Sequence, residues 1–122
     1  MASILLMEDN AALRRVIAKT LIDDGHEVTQ SESGFAAYNE ELLHSVDLMI
    51  TDLVMPCVDG LDAIKTARST RKNLKVIAIS GGGHCFSQDY LQVALAFGAE
   101  QVLQNPFEPD ALTDVVNSTL AA

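Results

Sequence analysis

The segment Leu48–Gly60 reads LMITDLVMPCVDG, and it carries the clearest signal of fold in the chain. Its first four residues are almost wholly apolar, and the run stops at a charged residue, Asp52. A short apolar run bounded by turn residues is typical of a strand buried on both faces of a parallel sheet. Asp59 and Gly60 then predict a turn into a helix. Asp52 is a candidate site residue, because open α/β sheets bind ligands beyond the carboxyl ends of their strands. Taken alone, it could equally cap the next loop.

Strand-like runs alternate along the chain with segments of helical periodicity. The predicted strands are Ser3–Met7, Glu27–Glu32, Leu48–Thr51, Lys75–Ile79 and Gln101–Gln104. This alternation predicts right-handed crossovers and a parallel sheet that is covered by helices on both faces. We therefore expect an α/β fold with a doubly wound, five-stranded parallel sheet, of the flavodoxin-like (βα)5 type with strand order 2-1-3-4-5. The second strand is mostly polar, so we expect it at an edge.

The helices are predicted from apolar spacing and from capping residues. Asn10 can cap the first helix, whose inward stripe comprises Leu13, Val16, Ile17 and Leu21. The side chains of the same helix that are expected to point to water are Arg14, Arg15 and Lys19. The later helices are predicted over Gly34–Ser45, Leu61–Thr70, Ser87–Phe97 and a last segment with Pro109 near its start.

Length and composition limit the class of protein. The chain has 122 residues, 48% of them hydrophobic, so residues 1–122 are expected to form one domain with no output domain. No apolar run approaches the ~20 residues of a membrane span, and no secretory signal opens the chain. We therefore expect a cytoplasmic protein that makes no membrane contact. A formal net charge of −9 argues against nucleic acid as a partner and favours cations or basic surfaces.

The predicted topology brings acidic residues together at one edge of the sheet. Glu8 and Asp9 follow the first strand, and this strand lies beside the one that ends at Asp52. Three carboxylates this close repel one another, so one would hold a proton unless a divalent cation sits among them. Oxygen ligands with open positions for water suit Mg²⁺. Ser80 adds a hydroxyl from the fourth strand, and the group predicts phosphoryl transfer with Asp52 as nucleophile.

These residues resemble those of the receiver domains of two-component response regulators, the CheY-like superfamily, over essentially the whole chain. The matching positions are Glu8-Asp9, Asp52, Met55-Pro56, Asp59-Gly60, Ser80, Gly98-Ala99 and Pro106-Phe107. The resemblance implies that Glu8, Asp9, Asp52 and the backbone carbonyl of Val54 hold Mg²⁺. It implies that Asp52 accepts a phosphoryl group from a histidine kinase or a histidine phosphotransfer protein.

The same resemblance implies a signalling domain that is not itself an enzyme, although it assists its own phosphorylation and dephosphorylation. Ser80 is expected to swing toward the phosphoryl group. This motion is expected to move the face formed by helix 4, strand 5 and helix 5, and so to signal to a downstream protein target.

Some positions depart from the family pattern. Asn105 stands where the family usually has Lys, and an amide offers only a neutral hydrogen bond, roughly half as strong as a charged one. Val102 stands where an aromatic switch residue is frequent, and the loop Gly81–Phe86 is longer than is typical. The Asn105-Pro106 bond is expected to be cis, as it usually is in the family.

Two alternatives to a phosphorylatable receiver remain open. A degenerate receiver would bind partners without phosphorylation. Asn105 and Val102 favour this alternative, whereas the intact acidic residues favour a phosphorylatable receiver. An enzyme on the same fold would be a flavin protein or an aspartyl phosphatase. A phosphatase of the haloacid dehalogenase type needs a second Asp two residues after Asp52, where Val54 stands, and no aromatic-rich flavin loop is evident.

Overall fold

Five parallel strands form one sheet in the order β2-β1-β3-β4-β5 in the computed structural model, which describes residues 2–53, 55, 59–80 and 88–122. The strands are β1 (Ser3–Met7), β2 (Glu27–Ser31), β3 (Leu48–Asp52), β4 (Lys75–Ser80) and β5 (Gln101–Gln104). The predicted doubly wound fold and its strand order are confirmed, with the polar second strand at one edge. Two strands run one residue further than predicted, because Asp52 and Ser80 still belong to the ladder.

Five α-helices connect the strands or follow them in the part of the chain that the structure describes. They are α1 (Ala11–Asp23), α2 (Glu40–Ser45), α3 (Gly60–Thr70), α4 (Gln88–Phe97) and α5 (Pro109–Ala121). The predicted cap of α1 is confirmed, since Asn10 Oδ1 accepts the Leu13 N–H at 3.0 Å. None of these helices has both the length and the apolar character needed to cross a membrane.

The predicted helix Gly34–Ser45 is wrong, because the segment folds as two separate pieces. A 3₁₀ helix spans Gly34–Tyr38, and α2 begins only at Glu40. Asn39 lies between them in an extended conformation, and its Oδ1 accepts the Leu42 N–H at 3.1 Å. Asn is a strong N-cap residue, so a new helix that starts after Asn39 is more stable here than a continuation of the first one.

Two apolar clusters cover the sheet, one on each face. The cluster beside α1 and α5 includes Ile4, Leu6, Ile17, Leu21, Leu48, Ile50, Ile77, Ile79, Leu112 and Val116. The cluster beside α2, α3 and α4 includes Leu5, Met7, Leu43, Met49, Ile64, Ala67, Val76 and Ala94. Neighbouring residues of one strand thus serve opposite faces, as strand geometry requires. β3 is buried along its whole length, which confirms the prediction for the central strand.

One inward residue of α1 was predicted wrongly. Val16 is 59% exposed, whereas Ile17, Ala18 and Leu21 are buried. The buried residues centre the inward face between Ile17 and Ala18, and a helix turns about 100° per residue. Val16 therefore lies on the outer side of the helix, although its sequence position adjoins the apolar stripe.

Candidate functional site

The strand register brings the acidic residues to one edge of the sheet. Met7 pairs with Thr51, so Glu8 and Asp52 are the next residues on two neighbouring strands. Carboxylate oxygens of Glu8, Asp9 and Asp52 all lie within 4.8 Å of one another. The juxtaposition that the topology predicted is therefore present in the folded chain.

The three carboxylates differ in how far they are buried. Glu8 is 1% exposed and Asp52 is 6% exposed, whereas Asp9 faces solvent. Burial, together with the neighbouring Asp52 carboxylate, raises the pKa of Glu8 from 4.5 to about 9. Without a cation, Glu8 is thus neutral at physiological pH, and one of the three carboxyl groups holds a proton as the sequence argument required.

The oxygens of Glu8 fit a role as metal ligands. Glu8 Oε2 accepts the Asn10 N–H at 3.2 Å, while Oε1 is buried with no hydrogen-bond partner among the described residues. A buried polar atom without a partner is costly and calls for a physical explanation. An all-oxygen donor set with one such atom fits a hard divalent cation such as Mg²⁺, which takes few protein ligands and keeps several waters.

The backbone around Asp52 is fixed by the start of α3. The Leu53 N–H donates to Ile79 O at 3.0 Å, and the Gly60 N–H donates to Leu53 O at 2.9 Å. A Cβ atom on Gly60 would lie 2.0 Å from the carbonyl oxygen of Asp52, so only glycine fits there. The predicted turn at Asp59-Gly60 therefore also holds the site, and Asp59 caps α3 through the Asp62 N–H at 3.0 Å.

Ser80, the last residue of β4, and Asn105, the first residue after β5, lie at the same edge. Ile79 pairs with Asp52, so Ser80 follows immediately on the neighbouring strand, and it is 1% exposed. The Asn105 N–H donates to Ser80 O at 3.0 Å, and Asn105 is half-buried. The Asn105-Pro106 bond is cis, which confirms that expectation.

Val102 lies in the middle of β5 and packs into the core. It pairs with Ala78, is half-buried, and contacts the apolar cluster beside α2, α3 and α4. The predicted ligand carbonyl of Val54 and the long loop Gly81–Phe86 lie outside the described residues, and both stay predictions.

Arg14 is placed differently from the prediction. Its Nη1 donates to the carbonyl oxygen of Glu8 at 2.9 Å, and the residue is half-buried, whereas Arg15 is exposed. This bond ties the first turns of α1 to the loop that carries the acidic pair. The missed signal is spacing, because Arg14 follows the Asn10 cap by four residues and so lies one turn above it.

Comparison with known proteins agrees with this geometry. The family model described as the response regulator receiver domain matches residues 4–117. The chain is 31% identical to the chemotaxis protein CheY of Bacillus subtilis over 118 residues, which is 96% of either protein. It is 33% identical to the response regulator receiver protein CpdR of Brucella abortus, over 96% of this chain and 92% of CpdR.

Solved structures show the same fold. The receiver domain of NtrX from Brucella abortus superposes with a TM-score of 0.87 at 26% identity, over 98% of each chain. The chemotaxis protein CheY4 of Vibrio cholerae superposes with a TM-score of 0.81 at 27% identity, also over 98% of each chain. With its sheet order, its acidic edge and these matches, the chain belongs to the response regulator receiver domain family of two-component systems.

Proposed function

We propose that Asp52 accepts a phosphoryl group from a histidine kinase or a histidine phosphotransfer protein, in a Mg²⁺-dependent reaction in the cytoplasm. Receiver domains are signalling domains that interact with kinases and downstream effectors, and they bind Mg²⁺ at an acidic pocket. The observation that carries the proposal is the group Glu8, Asp9 and Asp52, with carboxylate oxygens within 4.8 Å of one another. The signal would leave the protein as a change in its contacts with a downstream protein.

Each residue of the edge has a distinct role in this proposal. A carboxylate oxygen of Asp52 attacks phosphorus, and the bond from phosphorus to the donor breaks as the acyl phosphate forms. Glu8 and Asp9 would hold Mg²⁺ together with Asp52 and the carbonyl of Val54. The bound ion supplies positive charge against the transferring group. Because Asp52 is 6% exposed, its reactive oxygen sits in a largely dry site, where such charge acts strongly.

Ser80 would report the phosphoryl group to the rest of the fold. Ser80 directly follows Ile79, the residue that pairs with Asp52, and the Ser80 carbonyl oxygen accepts the Asn105 N–H at 3.0 Å. A movement of Ser80 toward the phosphoryl group would therefore strain the junction between β5 and α5. Val102, a small apolar residue of β5, stands where an aromatic residue that rotates is frequent in the family. The backbone bond between Asn105 and Ser80 would therefore transmit more of the conformational change.

A second candidate function is a degenerate receiver that binds partners without phosphorylation. The observation that favours it is Asn105, which lies at the edge beside Ser80 and brings an amide where the family has an ammonium group. The phosphorylated site carries about two negative charges. An amide can donate to them but cannot neutralise them.

Treatment with acetyl phosphate and Mg²⁺ separates the two functions. The wild type should gain one phosphoryl group that is stable in acid and labile in base, while Asp52→Asn should gain none. Asp62→Asn, which removes an exposed carboxylate from α3, is the matched control and should behave as the wild type. An unmodified wild type would favour the degenerate receiver, and a modified Asp52→Asn would move the acceptor to another residue.

A further inference from the structure

Two aromatic rings stand in solvent on the 3₁₀ helix. Phe35 is 59% exposed and Tyr38 is 53% exposed, and neither belongs to an apolar cluster of the core. Their ring centroids are 6.2 Å apart with planes inclined at 44°, which lies within the range that aromatic pairs prefer. Aromatic side chains that the core does not use are enriched where proteins bind one another.

The backbone beneath these rings is held firmly. Ser31 Oγ donates to Ser33 O at 2.9 Å, and the Phe35 N–H donates to Ser33 Oγ at 3.1 Å. Ala37, between the two aromatic residues, is fully buried. The backbone that carries the rings is therefore already ordered, so ordering it on binding a partner costs little conformational entropy.

The residues that flank the rings in sequence are acidic. Glu32, Glu40 and Glu41 flank the rings within three residues, and all three are exposed. None of them forms an ion pair with a residue that the structure describes. The sequence has no lysine or arginine between Lys19 and Lys65, so the acidic residues here have no such neighbour in sequence and attract cations. Arg71 reaches α2 at its carboxyl end, where its Nη1 donates to Leu43 O at 2.6 Å.

We propose that this aromatic-acidic patch, formed by Phe35, Tyr38, Glu32, Glu40 and Glu41, is a docking surface for an arginine-bearing segment of a partner protein. A guanidinium group can stack on an aromatic ring while its N–H groups donate to carboxylates, so both features of the patch serve one side chain. Nucleic acid and anionic lipid would be repelled by the carboxylates. A second copy would bring the same carboxylates face to face.

The patch shares no residue with the phosphoryl site, but the two adjoin, since the Glu8 N–H donates to Ser31 O at 2.9 Å and Glu32 follows Ser31. The patch residues lie on the 3₁₀ helix, on α2 and directly after β2, whereas the acidic edge is formed by β1, β3 and β4. The patch thus gives the protein a second surface for partners beside the phosphoryl site.

A synthetic peptide in which arginine alternates with alanine is the probe. Added to ¹⁵N-labelled protein at low salt, it should shift the amide signals of the patch residues. The binding should weaken as salt is added. A peptide with lysine in place of arginine should bind more weakly, because an ammonium group lacks the planar face that stacks.

Matched variants distinguish the patch from general attraction to an acidic protein. Phe35→Ala combined with Tyr38→Ala should lower the affinity roughly fivefold or more. Phe97→Ala, which removes an exposed ring from α4, should not. Glu40→Gln with Glu41→Gln should weaken binding more than Asp110→Asn with Asp114→Asn, a pair of exposed acids on α5. Mg²⁺ binding at the acidic edge should stay unchanged in the ring variant and so report an intact fold.

Three results would overturn the proposal. The first is an absence of shifts at the patch, and the second is equal weakening by the patch variants and their controls. The third is self-association that the ring variant abolishes, which would make a second copy the occupant.

Discussion

The carboxyl group of Glu8 links proton binding to stability. Its pKa is about 9 in the folded chain and near the ordinary 4.5 when unfolded, so the folded state binds more proton between these values. Without metal, the free energy of unfolding should therefore fall as pH rises from about 5 to about 8, by at most ~1.4 kcal/mol per pH unit. Glu8→Gln should flatten this slope in urea melts with EDTA. The exposed control Glu41→Gln should keep it, and an unchanged slope in Glu8→Gln would contradict the assignment.

Gly60 must lack a side chain, because the backbone of Asp52 lies directly against it. The Cβ atom of Gly60→Ala would meet the Asp52 carbonyl, a backbone atom that cannot turn away. We expect a loss of roughly 2–4 kcal/mol of stability together with weaker Mg²⁺ binding. The control Gly25→Ala meets no atom within 4 Å and has only its φ of +95° to strain it, so it should keep its Mg²⁺ affinity. Equal Mg²⁺ affinity in both variants would refute the link.

In the proposed phosphorylated state, the neutral side chain of Asn105 would leave most of the phosphoryl charge for the metal to offset. Asn105→Lys should add a charged contact and change the free energy of the phosphorylated state by about 1–2 kcal/mol. The extent of phosphorylation should then depend less steeply on Mg²⁺ concentration than in the wild type. Superimposable curves would mean that the side chain at position 105 does not touch the phosphoryl group.

At the scale of elements, α2 depends on its cap. Asn39→Ala removes the acceptor of the Leu42 N–H and should cost about 1 kcal/mol of stability, measured by urea denaturation. Asn39→Asp keeps a side-chain acceptor and serves as the control. If both variants lost the same stability, the side-chain cap would not be the cause.

Prediction from sequence worked where one physical pattern dominates and failed where two compete. The strand bounds were predicted within one residue, and for β1, β3 and β4 the reason is that an apolar run with polar ends leaves little choice of bounds. The break at Asn39 was missed because capping there overrides the helical pattern on both sides. The meeting of Glu8 with Asp52 follows from strand order alone. The burial of Glu8 and the bond from Arg14 do not, since they depend on side-chain depth and on backbone acceptors.

For the whole molecule, the charge is unevenly spread. The net charge of −9 is concentrated between Lys19 and Lys65, where no lysine or arginine occurs, and this stretch contains both the aromatic-acidic patch and Asp52. Such a field speeds encounters with basic surfaces and weakens with salt. Both the aromatic-acidic patch and the region of Asp52 therefore favour positively charged partners.

In the proposed function, the carboxylates at the edge of the sheet act together with Mg²⁺ to make Asp52 an acceptor. The most direct measurement is intact mass after acetyl phosphate treatment, with Mg²⁺ or with EDTA, for the wild type and Asp9→Asn. We expect one phosphoryl group on the wild type with Mg²⁺, little with EDTA, and little on Asp9→Asn under either condition. Equal phosphorylation of the wild type with Mg²⁺ and with EDTA would contradict it.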